Sequence, residues 1–190
     1  SAVVVGMKSW GRSCFQKAVA AAQNSALGAG RSPHRREGAE GFVDHGHHAL
    51  MDIERFLAAG GYDEAKSHNE DAELDLRLTR DGARIWLTRT VAIGYYPRAG
   101  AGQLWQQYRS YGYGRAQTML QHRTGPKLRQ LLPAAILPAI LPVSVAPWYM
   151  LAAMPCAVWL AFCLVYGIFL GLREKDSCAC AAGLAAIVMH

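Results

Sequence analysis

The sequence predicts an α/β domain over residues 1–125, followed by α-helical transmembrane segments over residues 126–190. Two observations predict this class. Helical and strand-like patterns alternate through the first part of the chain, and the 42 residues from Leu131 to Leu172 contain no charged side chain. An uncharged run of this length is sufficient for two bilayer crossings, because each needs about 20 apolar residues. Any chemistry of the polar domain is therefore expected at a membrane surface.

The first half of the polar domain is predicted to contain a strand, a helix, a loop and a second helix. Val3–Val5 predicts a short strand, and apolar residues at helical spacing predict a helix over residues 12–23. Residues 25–41 are rich in Gly, Ser, Arg and Pro without periodicity, which predicts a loop. Residues 52–59 predict a short helix that ends at Gly60-Gly61.

The second half of the polar domain continues the alternation. A helix is predicted over Ser67–Arg80, and Asp81-Gly82 is a typical stop signal after it. Two strands are predicted next, at Arg84–Leu87 and Val91–Tyr95. A longer helix is predicted over Gln103–Arg123.

The start of the helix predicted at Ser67–Arg80 has the pattern of a capping box. Ser67 is expected to cap the helix, and Glu70 is expected to bond back to it from the third helical position. Glu73 and Arg77 are four residues apart and are expected to form an ordinary ion pair on the surface.

Asp71 is a candidate catalytic residue because of the helical face on which it lies. At 100° per residue it points to the same side as Leu74 and Leu78, which are expected to be buried. A carboxylate on a buried face costs free energy unless it is paired or has a functional role. The alternative is a carboxylate that is stabilised by the helix dipole at the amino-terminal end.

A cluster of histidines lies just before the helix at residues 52–59. His45, His47 and His48, with Asp44 and either His34 or His68, have side chains that can bind a metal ion. Three interpretations remain open from the sequence: a dedicated metal site, the lining of a substrate pocket, and structural hydrogen bonding. We assign the three clustered histidines to substrate binding and assign no residue as a metal ligand.

The formal charge of +6 comes from the segment that precedes the uncharged run. Residues 1–97 carry 12 basic and 12 acidic side chains, whereas residues 98–129 carry six basic side chains and no acidic one. A basic segment beside a membrane span marks the cytoplasmic side and attracts anionic lipid. Membrane lipid is therefore the expected partner, and nucleic acid is not.

The helix predicted at Gln103–Arg123 carries arginines and aromatic residues on one arc. Arg109 and Arg115 lie there beside Trp105 and Tyr108. Such a face suits the headgroup layer of a membrane, contact with a diphosphate group, or ordinary packing. We assign both arginines to substrate binding.

The cysteines and the chain ends complete the sequence-based expectations. The five cysteines show no zinc-ligand spacing and are expected to be reduced structural thiols. The membrane spans are placed at about residues 131–149 and 153–172, with a truncated third span from about residue 178. Apolar patterns at both ends predict that the chain is a fragment of a longer protein.

Several motifs together resemble one enzyme family. These are Gly60-Gly61-Tyr62-Asp63-Glu64, the Glu70-Asp71 pair, and Arg80-Asp81-Gly82-Ala83-Arg84-Ile85-Trp86. They resemble the carboxyl-terminal half of a family 2 glycosyltransferase, which has the GT-A fold. Three further segments are similar to the succinoglycan-type exopolysaccharide transferases: residues 42–49, residues 67–71 and residues 111–115.

The resemblance implies an inverting transfer of sugar from a nucleotide-sugar donor to a lipid-linked or polysaccharide acceptor. Asp71 matches the family's catalytic base, which takes the proton of the acceptor hydroxyl. Glu70 matches the residue that precedes this base in the family's Glu-Asp pair. Gly60, Gly61 and Asp63 match a turn that lies against the bound sugar and acceptor. The location implied is the bacterial inner membrane, with a multi-pass tail and a cytoplasmic polar domain.

The chain departs from the family pattern in two respects. The nucleotide-binding half and its Asp-x-Asp motif do not occur in these 190 residues, so ligands for the expected Mg²⁺ or Mn²⁺ are not in this chain. The chain alone is expected to be inactive. Ser110 also stands where processive members have the Trp of Gln-x-x-Arg-Trp, which weakens any expectation of processivity.

A non-enzymatic membrane module is the alternative from a different functional class. Such a module would bind a metal ion through its histidines and anionic lipid through the basic segment. The Asp71 pattern and the spacing from Gly60 to Asp71 favour the enzyme.

Overall fold

A computed structural model of the chain describes residues 1–29, 32–126, 128–145 and 149–190. Within these ranges the fold is mixed α/β, with one four-stranded sheet and mostly helical content. The chain forms two compact units. The first unit contains Ser1–Lys8, Arg31–Tyr95 and Gln106–Thr124, and the second contains Ser9–Gly30, Tyr96–Trp105 and Gly125–His190. The expected division at residue 125 remains a prediction.

The regular elements are as follows in chain order. The strands are β1 (Ala2–Ser9), β2 (Gly41–Val43), β3 (His47–Met51) and β4 (Ile85–Tyr95). The α-helices are α1 (Cys14–Asn24), α2 (Ala26–Ala29), α3 (Ile53–Ala58), α4 (Glu70–Arg80), α5 (Ala101–His122), α6 (Leu128–Ile140), α7 (Met154–Glu174) and α8 (Ala182–Met189).

The sheet has the strand order β2-β4-β1-β3. β1 pairs antiparallel with β3, with Val3 opposite Leu50, and β2 pairs antiparallel with β4, with Phe42 opposite Trp86. Its buried face is formed by Ala2, Val4, Ile85 and Leu87. The strand predicted at Val3–Val5 is confirmed, because these residues lie within β1.

The prediction of two strands between Arg84 and Tyr95 is wrong, because β4 is continuous. Thr88, Arg89 and Thr90 interrupt the apolar pattern of the sequence. The strand nevertheless continues through them, because Arg89 and Thr90 are exposed and a solvent-facing strand accepts polar residues.

Helix α4 packs its apolar face as expected but begins differently. Leu74 and Leu78 are almost fully buried beside Ala83. The predicted capping box is wrong, because the helix begins at Glu70 after Asn69, which has a left-handed backbone (φ 65°) and makes no side-chain cap. Ser67 instead bonds to the ring of His68 at 2.9 Å.

In the second unit a disulfide joins Cys14 of α1 to Cys178, which corrects the expectation of five reduced thiols. The two cysteines are 164 residues apart, so sequence spacing gave no sign of the pair. Cys156, Cys163 and Cys180 are free thiols.

Small residues bring α7 and α8 close together. A Cβ on Gly167 would lie 2.4 Å from the backbone nitrogen of Gly183, and one on Gly183 would lie 2.2 Å from the carbonyl oxygen of Cys163. Glycine at these positions therefore lets the two helix backbones touch.

One helix within the described ranges is long and apolar enough to cross a membrane. It covers Met150–Glu174, with a mean hydropathy of 2.1 over an 18-residue window, and corresponds to the span expected at residues 153–172. The spans expected at residues 131–149 and from residue 178 are not shown. Helix α6 has 13 residues and is thus about 20 Å long, short of the roughly 30 Å of a bilayer core. Residues 146–148 of the first expected span lie outside the described ranges.

Candidate functional site

The candidate site is formed where the segment before β3 meets the first turns of α4, within the first unit. His45 and His47 are two residues apart in extended chain, so their rings lie on the same side. Gly46 between them is buried, and a Cβ there would lie 2.4 Å from a methyl carbon of Val4. The segment can therefore approach the sheet core closely, and this fixes both imidazoles opposite α4.

The Asp71 carboxylate forms a hydrogen bond with the His47 ring. The Nδ1 atom of His47 lies 2.8 Å from Oδ2 of Asp71, and the backbone N–H of Ala72 donates to Oδ1 at 2.7 Å. The Asp71 side chain is 35% exposed. Burial by itself would raise the pKa of Asp71, but the His47 hydrogen bond, the charges of His45 and His47 and the Ala72 N–H together lower that pKa below its ordinary value.

Asp75 supports His45 in the same way, one helical turn further along α4. Its Oδ2 atom lies 2.8 Å from Nδ1 of His45 and accepts the Gly46 N–H at 3.3 Å. The Asp75 side chain is 2% exposed. Its other oxygen, Oδ1, is buried and has no hydrogen-bond partner within the described residues.

Sequence reasoning did not select Asp75. A signal for it existed, since Asp75 follows Asp71 by four residues and therefore lies on the same helical face.

His45, His47 and Asp71 have the composition and spacing of a metal-ligand cluster. Each offers one ligand atom, and the three atoms lie within 4.8 Å of one another. The ring of His34 packs edge-on against that of His47, with 4.9 Å between centroids. His48 is exposed, with a left-handed backbone (φ 53°), and is not part of the cluster.

The Gly60-Gly61 turn is held against α4 by Arg77. Both glycines have positive φ angles, 81° and 69°, which other residues adopt at a cost. Arg77 donates to the carbonyl oxygen of Gly61 at 2.7 Å and also to that of Ala59. The next residue, Tyr62, has a raised pKa because of burial and then of the charges of Asp71, Asp75 and Glu70. The glycine turn therefore lies beside the acidic start of α4.

Glu73 and Arg77 form the predicted ion pair, but its predicted surface position is wrong. The Glu73 side chain is 1% exposed. It accepts two hydrogen bonds from Arg77, each of 2.8 Å, and lies 2.7 Å from Nε2 of His122 on α5. Glu73 is buried and contacts His122 at the end of α5, and a helical pattern within α4 alone cannot show that.

The remaining predicted residues lie around this centre. Asp63 accepts the Ala65 N–H at 3.0 Å and a bond from Gln121 at 3.3 Å, and these bonds lower its pKa. Glu70 is partly exposed in the first turn of α4, whereas Arg109 and Arg115 are exposed on α5. Binding roles for these residues remain predictions.

Known proteins give one informative comparison. Over 188 residues the chain is 50% identical to a protein of Rhizobium meliloti (strain 1021) named succinoglycan biosynthesis protein ExoA. The match covers 99% of this chain and 57% of that protein, so the chain spans a little over half of the relative's length. No protein-family model matches the chain, and no solved structure matches it.

Proposed function

We propose that this chain is the acceptor-side part of an inverting glycosyltransferase of exopolysaccharide biosynthesis, which moves a sugar from a nucleotide-sugar donor to a membrane-associated acceptor. The 50% identity to a succinoglycan biosynthesis protein supports the pathway class. The resemblance of Gly60–Glu64 and Glu70-Asp71 to family 2 glycosyltransferases supports the reaction and the GT-A fold.

The observation that carries the proposal is the position of Asp71. Its carboxylate is partly exposed, ionised and fixed by His47 at the start of a helix, beside a glycine turn. A general base needs an open oxygen lone pair within reach of the acceptor hydroxyl and a fixed orientation. His47 uses one lone pair of Oδ2 and the Ala72 N–H uses one of Oδ1, so further acceptor positions remain on the carboxylate.

The lowered pKa of Asp71 bears on when the proton moves. A carboxylate of low pKa is a weak base towards a free alcohol. The acceptor hydroxyl becomes acidic as its oxygen bonds to the anomeric carbon, so proton transfer to Asp71 accompanies this bond rather than preceding it. His47 keeps the carboxylate aimed while the bond forms.

The donor side of the reaction is assigned to the part of the protein that corresponds to the rest of the relative's length. The nucleotide, the Mg²⁺ or Mn²⁺ ion and the Asp-x-Asp ligands would lie there. The polar acceptor side would lie at a membrane surface, with α7 as one anchor.

The test compares two adjacent substitutions in a protein of the relative's full length. Asp71→Asn keeps the shape of the side chain and removes its ability to accept a proton, so transfer of labelled sugar should fall by at least about 100-fold. Glu70→Gln removes the same charge from the neighbouring residue but keeps its ability to hydrogen-bond a substrate, so its effect should be much smaller. Equal small effects would show that Asp71 is not the base.

A further inference from the structure

The cluster of His45, His47 and Asp71 has the donor set of a transition-metal site. Two imidazole nitrogens and one carboxylate are ligands that Zn²⁺ accepts with a fourth position left open, whereas Mg²⁺ prefers oxygen ligands alone. The three ligand atoms lie within 4.8 Å of one another. In a tetrahedral zinc site the ligand atoms are about 3.4 Å apart, so side-chain movements of about 1 Å would close the cluster around an ion.

The surroundings of the cluster match those of metal-binding histidines. A ligating imidazole commonly donates its second ring N–H to a carboxylate, which fixes the tautomer. Asp75 accepts such a bond from Nδ1 of His45 at 2.8 Å, and it is held in place by the N–H of Gly46. Nδ1 of His45 is used by this contact with Asp75, so Nε2 is the ring nitrogen that is left for a ligand.

The charge of the site also favours a cation. Asp71 and Asp75 place two carboxylates against two imidazoles, and the buried Oδ1 atom of Asp75 lacks a hydrogen-bond partner within the described residues. The side chains of His47 and Asp71 are 33% and 35% exposed, so an ion can reach them from solvent.

We propose that His45, His47 and Asp71 bind one divalent transition-metal ion of zinc-like chemistry, with Asp75 as the outer support of His45. Such an ion would occupy the carboxylate that the proposed function uses as its base. Bound zinc would therefore inhibit sugar transfer. The inhibition rests on the proposed function, whereas the binding does not.

Cobalt is the probe for binding, because Co²⁺ replaces Zn²⁺ and absorbs visible light when it is bound with low coordination number. We expect the metal-free 190-residue chain in detergent to develop ligand-field bands that saturate at one equivalent of Co²⁺ and disappear when Zn²⁺ is added. Excess Mg²⁺ should leave the bands unchanged. Absence of the bands from the wild-type chain would overturn the site. A thiolate charge-transfer band would also overturn it, because that band would assign the ion to cysteine.

A matched pair of substitutions tests the ligands. His47→Asn should weaken Co²⁺ binding by at least about tenfold, and Asp75→Asn should weaken it by about 10–100-fold. His48→Asn is the control, because His48 lies next to the cluster but outside it, and asparagine tolerates its left-handed backbone. If the His47→Asn and His48→Asn variants bind Co²⁺ equally well, His47 is not a ligand and the proposed site is overturned. Thermal melting without metal shows whether each variant is folded.

Activity measurements separate this inference from the proposed function. With Mg²⁺ held constant in the full-length protein, Zn²⁺ should reduce transfer, and a chelator selective for zinc should restore it. If the cobalt bands appear but Asp71→Asn leaves transfer intact, the proposed mechanism fails and the metal site stands. If Asp71→Asn abolishes transfer but bound zinc leaves wild-type transfer unchanged, the inhibitory part is wrong.

Discussion

Glu73 receives two parallel hydrogen bonds from Arg77 while its own side chain is 1% exposed. The same arginine donates to the carbonyl groups of Ala59 and Gly61. One guanidinium therefore joins the carboxylate of α4 to the glycine turn beside the candidate site. The pair matters for the position of that turn as well as for stability.

Replacing Glu73 should destabilise the protein, because Arg77 would lose its partner in a buried environment. We expect Glu73→Gln to lower the free energy of unfolding by about 2–3 kcal/mol, and thermal melting in detergent would measure the loss. Glu64→Gln, at an exposed glutamate, is the control and should change little. Similar melting of the two variants would contradict the buried pair.

The pH dependence of melting gives a second test of Glu73. Burial would raise the pKa of Glu73, but the bonds from Arg77 and His122 lower that pKa below its ordinary value. A lowered pKa in the folded state adds stability above the unfolded value of about 4.3. That stability is lost as the pH falls through the folded pKa. The melting temperature of the wild type should therefore drop below about pH 4, and the Glu73→Gln variant should show a smaller drop.

Two glycines of α5 should respond to alanine in opposite directions. A Cβ on Gly114 would lie 2.5 Å from the carbonyl oxygen of His68, whereas a Cβ on Gly112 has no such neighbour within 4 Å among the described residues. Gly114→Ala should lower the melting temperature, since packing that is too tight costs about 1–3 kcal/mol. Gly112→Ala should raise the free energy of unfolding by up to about 1 kcal/mol, because alanine has a higher helix propensity than glycine. Equal shifts would show that α5 does not approach His68 so closely.

The disulfide predicts how many cysteines react with an alkylating reagent. We expect mass spectrometry of the unfolded, non-reduced chain to show three alkylated cysteines, at positions 156, 163 and 180. After reduction all five should react. Alkylation of Cys14 or Cys178 before reduction would exclude the bond. Cys14→Ser should lower the melting temperature, whereas the conservative change Cys156→Ser should lower it less.

Membrane association should be measurable by extraction. The helix at Met150–Glu174 contains an 18-residue apolar window that is only 17% buried, so we expect the chain to stay with membranes through a carbonate wash. Detergent should release it. Placing Lys at Val158 and Val165, both exposed on α7, should move protein into the soluble fraction or cause aggregation. Recovery of the wild type as a monomer without detergent would contradict this prediction.

The sequence predicted those features that depend on local periodicity. The buried face at Leu74 and Leu78 is confirmed, because it follows from the spacing of apolar residues within one helix. The strand at Val3–Val5 is confirmed as part of β1, because consecutive valines favour extended chain. The predicted start of α4, at Ser67, was three residues too early. The Asn69 side chain bonds to Thr118 of α5, 49 residues away, and no rule for local capping includes that partner.

The candidate site shows the same limit. Asp71 could be selected from its place on the helix, but its bond to His47 depends on two elements that meet in the fold. Glu73 was predicted to be exposed, and this prediction failed because its partner His122 lies on another helix. Polar residues that are buried through tertiary contacts have the sequence pattern of surface residues, and only the assembled fold distinguishes them.

The bond between Cys14 and Cys178 also restricts the parity of membrane crossings. Two cysteines that form a disulfide must be on the same side of a bilayer, and Cys178 comes shortly after the end of α7. If α7 crosses, Tyr149 at its other end is on the side opposite to Cys14. The chain between Cys14 and Tyr149 must then cross an odd number of times, and the uncharged residues from Leu131 onward are its longest apolar candidate. A single crossing between Cys14 and Cys178 is therefore incompatible with this disulfide, because the number of crossings between them must be even, zero included.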